Sequence, residues 1–320
     1  MKIAVTGANG FVGSAVLAAL AARDIGALPL VRRANGLAGE RVTGDLSDGA
    51  LTAGDLDGVD AIIHLAARTH VTNDRAADPL AEYHRTNVEG TRRLLEAGKA
   101  AGVRRIAFMS SVKAAGERSQ PGRPLTPQSP SRPEDHYGTS KLEAEKLVRE
   151  YCSAHDMEWS IVRPPLVYGP GVRANLERLV KLVASGVPLP FGAIDNQRSL
   201  VEVRNLAEAA VLAAIRPEAN GRLFMVSDAT VSTPELIRKI AQAMGRPARL
   251  VPVAPAIFRF AGKVTGRTSM VDRLCGSLEL DPSDIVDVLG WSAHISLEES
   301  LVQLVRELGY SSDAATTGRK

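Results

Sequence analysis

Through the first half of the chain, short apolar runs alternate with longer stretches whose apolar residues recur every three or four positions. That rhythm is the one expected of βαβ units feeding a parallel sheet. Residues 2–6 read as the first strand and 11–23 as the helix after it. Further strands are predicted at 27–31, 41–42, 61–65, 106–109 and 159–162, with helices at 80–101 and 138–155 among them. Pro29 lies inside the second run and has no N–H for a ladder, so that strand is expected to be short or bulged.

After Arg163 the alternation breaks at Pro164, Pro165, Gly169, Pro170 and Gly171. From residue 169 the chain reads as a second lobe, except for a helix over 203–215 and an apolar strand over 222–226 that are regular enough to rejoin the first sheet. Pro234, with Thr233 before it as cap, opens a helix over 235–244. The expected division sets 1–168, rejoined by about 203–227, against 169–202 and 228–310. The small, polar residues 311–320 are expected to be a disordered tail.

Composition narrows the classes of function. The 320 residues carry 39 Lys and Arg against 36 Asp and Glu, a net +3. So even a balance gives no case for bulk nucleic-acid or anionic-membrane binding, and any phosphate site must be local. Aromatic residues are only 4% of the chain, too few for a base-stacking platform, so the core is expected to be aliphatic. Cys152 and Cys275 read as core thiols in a reducing compartment. The apolar N-terminus is interrupted by Asn9, Gly10 and Gly13 and has no cleavage pattern, and no apolar run reaches the roughly eighteen residues of a spanning helix. A soluble cytoplasmic protein is the expectation.

Chemistry enters at Thr6-Gly7-Ala8-Asn9-Gly10-Phe11-Val12-Gly13, directly between the first strand and the first helix. Gly7 permits a tight turn, Gly10 lets backbone approach a pyrophosphate, and Gly13 allows close packing, with the anion at the positive helix end. The pattern points to a dinucleotide and to an α/β fold: a Rossmann-type doubly wound parallel sheet with a smaller α/β C-terminal substrate lobe. Where a ribose-binding acid is expected at the end of the second strand, the chain has Arg32 and Arg33. Two guanidiniums suit a 2′-phosphate, which favours NADP over NAD. Asp45, followed by Leu46, stands where a carboxylate accepts the adenine amino group or caps a short helix.

Tyr137 and Lys141 are four apart, on one face of a predicted helix. A lysine charge beside a phenol favours phenolate and fits it for proton exchange with a hydroxyl or carbonyl during hydride transfer. With the glycine loop, His64-Leu65-Ala66-Ala67, Asn87-Val88-Glu89-Gly90-Thr91 and Ser110-Ser111, the chain resembles the extended short-chain dehydrogenase/reductases over essentially its whole length. The resemblance implies a triad of Ser111, in preference to Ser110, with Tyr137 and Lys141. It places Leu65, Ala66, Ala67 and Asn87 beside the cofactor; Asn87 is either an ordering residue of the site or a helix-capping amide.

Within that superfamily the segment 163–171, then Asn175, 191–192 and 196–201, is similar to the nucleotide-sugar branch of 4-epimerases, dehydratases and 4-keto-reductases. The likeness implies diphosphate contacts from Asn175, Arg198 and Arg273, and a substrate contact from Lys113. Dehydratases of the branch carry an acidic pair where Val112 and Lys113 stand, which disfavours dehydration. The stretches around Ser111 and Tyr137 are most similar to a subgroup that includes reductases forming UDP-N-acetylquinovosamine. The expectation is therefore an NAD(P)H-dependent 4-keto-reductase of a UDP-4-keto-6-deoxy-N-acetylhexosamine serving surface polysaccharide synthesis, acting as a homodimer through 80–101 and 138–155. A UDP-hexose 4-epimerase is the alternative, and a non-catalytic cofactor sensor a remote one.

Overall fold

The apolar runs of the first half become parallel strands, the central ones buried on both faces and the edge strand over 41–42 exposed. The computed structural model describes residues 1–69, 78–120, 122–173, 175–264 and 268–310, apart from the side chains at 259, 261, 262, 268–270 and 273. The strands are β1 (Lys2–Thr6), β2 (Gly26–Val31), β3 (Arg41–Val42), β4 (Ala61–His64), β5 (Arg105–Met109), β6 (Glu158–Arg163), β7 (Leu166–Tyr168), β8 (Arg198–Glu202), β9 (Arg222–Met225) and β10 (Ala229–Val231). The helices are α1 (Phe11–Ala21), α2 (Pro79–His84), α3 (Gly90–Ala100), α4 (His136–Ala154), α5 (Asn175–Ala184), α6 (Val203–Ile215), α7 (Thr233–Ala243), α8 (Pro255–Val264), α9 (Thr268–Cys275), α10 (Ser283–Leu289) and α11 (Leu297–Glu307). None of the described helices is long and apolar enough to cross a membrane.

Seven strands pair in the order β3-β2-β1-β4-β5-β6-β9, every pair parallel. Alternation along each strand sends Ile62, Ile106, Phe108 and Ile161 to one face, under Leu94 and Leu95 of α3 and Ala144 and Val148 of α4. Ile3, Val5, Ile63 and Val162 face the other way, under Val16 and Leu20 of α1 and the alanine-rich α6. Strand order reverses at β1, which lies between β2 and β4, and such a reversal opens a crevice at the strands' carboxyl ends. Three strands form a second sheet, β10-β8-β7, enclosed with α5, α7 and α11 around Tyr168, Val180, Ile237 and Leu301.

Several local expectations are corrected. β2 runs six residues despite Pro29, because β3 pairs only with Leu30 and Val31 and no β3 ladder needs a donor at Pro29. The helix expected over 80–101 is α2 and α3 joined by a π turn, Arg85–Glu89. Ser232 rather than Thr233 caps α7, accepting the Glu235 N–H at 3.2 Å. β7, adjacent in sequence to β6, belongs to the second sheet. The expected tail, 311–320, lies outside the described residues.

Two buried polar assemblies tie these layers together. Glu145 of α4 and Arg163 of β6 are 1% and 2% exposed, and the guanidinium donates Nε and Nη2 to the carboxylate at 2.7 and 2.6 Å. The second assembly is a directed chain. Thr6 Oγ1 accepts the N–H groups of Leu65 and Ala66, both at 3.0 Å, so its own proton goes to His64 Nδ1 at 2.7 Å. His64 therefore carries its proton on Nε2, which donates to Thr91 Oγ1 at 3.0 Å, and Thr91 donates to the Asn87 carbonyl at 2.6 Å. Burial, reinforced by the Lys141 charge, pushes His64 down to about 3, so the ring is neutral.

This burial has a pH signature. Between pH 6.5 and 3 the unfolded chain takes up a proton at His64 that the native chain refuses, so native stability falls on acidification through that window, by about 1.4 kcal/mol for each unit separating the two pKa values. Urea unfolding of the wild type and of His64→Gln should show a stability gap that narrows from pH 7 to pH 4. A gap that stays constant would mean that His64 titrates normally in the native state.

Candidate active site

The turn after β1 owes its shape to two glycines. Gly7 has φ +65°, and a Cβ there would stand 3.0 Å from the Ala66 nitrogen; one on Gly13 would lie 2.2 Å from the Gly7 carbonyl oxygen. No side chain caps α1 at Gly10, which leaves the positive end of an eleven-residue helix facing the crevice. A cavity of about 340 Å³ opens there, walled by Gly7, Asn9, Arg32, Arg33, Asp45, Leu46, Ala66 and Ala67. Thr6, Leu30, Thr43 and Thr86 also line it; of these only Thr6 stood in a sequence motif. The cradle fits a dinucleotide: small residues where a phosphate approaches backbone, apolar walls, and two cations at the rim.

Arg32 and Arg33 are both exposed. Asp45 is occupied by its own neighbourhood, accepting the Ser47 N–H at 3.1 Å and hydroxyl at 2.8 Å and pairing with Arg85 at 3.5 Å. Burial acts to raise its carboxyl, but Ser47 and the charges of Arg85 and Arg32 outweigh burial and hold it below the usual carboxylate range. Leu65 adjoins the wall, and its N–H is spent on Thr6.

Phe11 and Val12 open α1, with Phe11 turned toward the second lobe, where a Cβ on Gly171 would touch its ring at 3.7 Å. Asn9, Gly10 and Phe11 also line a second cavity, of about 620 Å³, facing Pro170, Gly171 and the exposed Asn175 at the start of α5. One loop is thus the shared wall of two cavities. Arg198 is outside that wall: half-buried at the start of β8, it donates Nη1 to the Gly276 carbonyl at 3.0 Å. Arg273 belongs to α9, and its side chain lies outside the described residues.

Strand alternation separates the two serines at the end of β5. Ser110 is 3% exposed and donates to Glu145 at 2.5 Å. Ser111 faces the other way, accepts the Lys113 N–H at 3.2 Å and hydrogen-bonds the Tyr137 phenol. Their meeting depends on Gly138: a Cβ there would lie 2.4 Å from the Lys113 carbonyl oxygen, so only glycine lets α4 sit this close to the Ser111 turn. Asp135 fixes the same end by accepting the Gly138 N–H at 2.7 Å. The Lys113 ammonium is paired with Asp135 and, at 2.8 Å, with Glu117, so the side chain predicted to contact substrate is engaged by two carboxylates.

Lys141 sits beneath the phenol in the apolar interior, 2% exposed, with Nζ 4.1 Å from the Phe108 ring centre. Burial pulls it down to about 7, against the opposing charge of Glu145. Burial also pushes Tyr137 up to about 12, offset by the Ser111 hydrogen bond and reinforced by Asp135 and Tyr83. Desolvation is thus the leading influence on both groups, and at Tyr137 it favours the protonated phenol.

Asn87 occupies the π turn. Its Oδ1 accepts the Arg68 N–H at 2.7 Å, and its Nδ2 donates to the Arg68 carbonyl at 3.0 Å and to Ser140 Oγ at 2.9 Å. Ser140 in turn donates to the Tyr137 carbonyl at 2.8 Å. Asn87 does not cap a helix; it clamps the loop after β4 to the first turn of α4, and both its amide protons are used in doing so.

Comparison with known proteins agrees with this architecture. The chain is 39% identical over 309 residues to a UDP-glucose 4-epimerase of Vibrio cholerae, covering 94% of each chain. It is 27% identical over 317 residues to the N-acetyl-alpha-D-glucosaminyl-diphospho-ditrans,octacis-undecaprenol 4-epimerase of Escherichia coli O157:H7, covering 94% of this chain and 93% of that one. A short-chain dehydrogenase/reductase superfamily protein of Agrobacterium tumefaciens, solved with bound NAD, superposes with a TM-score of 0.77 at 26% identity, covering 97% of each chain. NAD(P) dependence goes with these likenesses. A model of the NAD dependent epimerase/dehydratase family matches residues 3–226, and the chain belongs to that family.

Proposed function

We propose that the chain reduces the 4-keto group of a UDP-4-keto-6-deoxy-N-acetylhexosamine, with NADPH preferred to NADH, giving a UDP-N-acetylquinovosamine-type sugar for surface polysaccharide synthesis. The observation that carries this reading is the hydrogen bond between the Tyr137 phenol and Ser111 at the end of β5, with burial favouring the protonated phenol. Reduction of a ketone needs a proton donor at the carbonyl oxygen, and a phenol near 12 gives its proton readily to an alkoxide. The bound dihydronicotinamide supplies the hydride.

In this reading Ser111 donates a hydrogen bond to the keto oxygen and Tyr137 delivers the proton. Lys141, near 7, is partly cationic at neutral pH; its charge stabilises the phenolate left behind, and its ammonium holds the cofactor ribose. The Gly7–Gly13 turn and the start of α1 hold the pyrophosphate, and Arg32 and Arg33 pair with a 2′-phosphate. Asn175, at the second cavity, binds the sugar diphosphate, with Arg198 of β8 and Arg273 of α9 as further cationic contacts.

The 39% identity to a relative named UDP-glucose 4-epimerase favours a second reading, reversible oxidation at carbon 4. That cycle begins with Tyr137 taking a proton from a hydroxyl, and burial of the phenol works against the base form which that step needs.

Supplied with the 4-keto sugar nucleotide and NADPH, the protein should oxidise one cofactor per sugar, and Arg32→Ala/Arg33→Ala should raise KM for NADPH about tenfold more than KM for NADH. Interconversion of UDP-glucose and UDP-galactose without cofactor consumption would establish the epimerase instead, and equal KM changes would remove the 2′-phosphate contact. Gly138→Ala should cut kcat about a hundredfold while cofactor affinity stays near wild type, because the added methyl drives α4 off the Ser111 turn. An unchanged kcat would show that the approach of Tyr137 to Ser111 does not limit turnover.

A further inference from the structure

Helix α8 presents an apolar stripe that nothing among the described residues covers. Ile257, Phe260 and Val264 are 59%, 72% and 71% exposed, and Phe260 and Val264 are the most exposed large apolar side chains among the described residues. At 100° per residue the three positions fall within about 60° of arc. The opposite side of the helix is anchored, with the Phe258 ring 5.9 Å from that of Phe191. Val187 and Val251, 47% and 43% exposed, flank the Leu189–Leu250 bridge that leads toward the same helix.

The charge along the segment that carries the stripe has one sign. Residues 245–264 contain Arg246, Arg249, Arg259 and Lys263 and no Asp or Glu, in a chain whose charges otherwise nearly balance. Arg246, Arg249 and Lys263 are exposed. Arg246 and Arg249 donate Nη1 to the carbonyls of Ala184 and Gly186 at 2.7 and 3.2 Å, which sets both guanidiniums at the rim of the Val187 turn. The remaining guanidinium N–H groups suit phosphate oxygens.

We propose that this face docks on an anionic lipid surface, with α8 lying in the interfacial plane. A short basic helix with a narrow aromatic and aliphatic stripe is suited to that position, and at ten residues, roughly 15 Å, it is too short to span a bilayer. A second copy of the chain is the poorer occupant. A two-fold interface would set Arg246, Arg249 and Lys263 against their own equivalents, and like charges so placed repel. The near-neutral whole chain conceals a local patch whose charge and apolarity together match a membrane, contrary to the expectation from composition. The inference is independent of the reaction proposed above.

Full-length protein is floated with vesicles of phosphatidylcholine alone and of phosphatidylcholine mixed with phosphatidylglycerol. The bound fraction should be about tenfold higher on the anionic vesicles and should fall as salt is raised. Ile257→Ser/Phe260→Ser and Arg249→Glu/Lys263→Glu should each reduce binding about tenfold, with thermal unfolding unchanged because all four side chains are exposed. Absence of a difference between the two vesicle types overturns the proposal, as does binding that both variants retain. A wild-type dimer that Ile257→Ser/Phe260→Ser converts to monomer, without vesicle binding, would assign the face to a second copy and overturn it equally.

Discussion

The carboxylate of Glu145 is the constraint from which the rest of the site follows. A buried carboxylate is tolerable only when its oxygens are satisfied, and here Arg163 and Ser110 do so from two neighbouring strands. Removing one partner from such a pair typically costs about 3–5 kcal/mol, so β5, β6 and α4 move as one piece. Because Ser110 must point inward to reach Glu145, Ser111 points outward to Tyr137. Because Lys141 lies one turn before Glu145 on the same buried face, it shares the low-dielectric interior that pulls its ammonium toward neutrality. Serine choice, helix position and lysine charge state thus descend from one satisfied carboxylate.

Close approach of backbone governs the other half of the site. Gly13 lets α1 come down on the Gly7 turn, and Gly138 lets α4 come down on the Ser111 turn. The first contact shapes a cavity for a dinucleotide, and the second brings a hydroxyl and a phenol together at the edge of the sheet. Since Gly7 and Asn9 line the first cavity and Asn9, Gly10 and Phe11 the second, a shift of the glycine turn is felt in both cavities at once.

The parallel sheet was legible because β4, β5 and β6 are buried on both faces and their sequences carry near-continuous apolar runs. The glycine loop was legible because its spacing follows from sterics alone. Position four apart disclosed that Tyr137 and Lys141 share a helix face, but not how strongly desolvation acts on both groups. Ser111 could be preferred to Ser110 only by resemblance; the structural reason, Glu145, lies 35 positions from Ser110. Lys113 was assigned to substrate by resemblance; of its carboxylate partners Glu117 is local, four positions on, but Asp135 is brought in from 22 positions away by the start of α4. No strand was predicted at β7, and the division expected at 168 left it with the first sheet, because three residues next to β6 carry too little pattern to name their sheet.

The π turn at Arg85–Glu89 sets a strict accounting of residue number. A wide turn houses an additional residue without lengthening the helix, and that surplus is what brings Asn87 to Arg68 and Ser140 together. Grafting a regular α-helix of equal length between residues 79 and 100 would advance everything beyond the turn by about 100°. Leu94 and Leu95 would swing off the sheet, and Thr91 would leave His64. Homologous segments exchanged into this chain must therefore carry the same irregularity, and their compatibility is decided by helical phase before any side chain is compared.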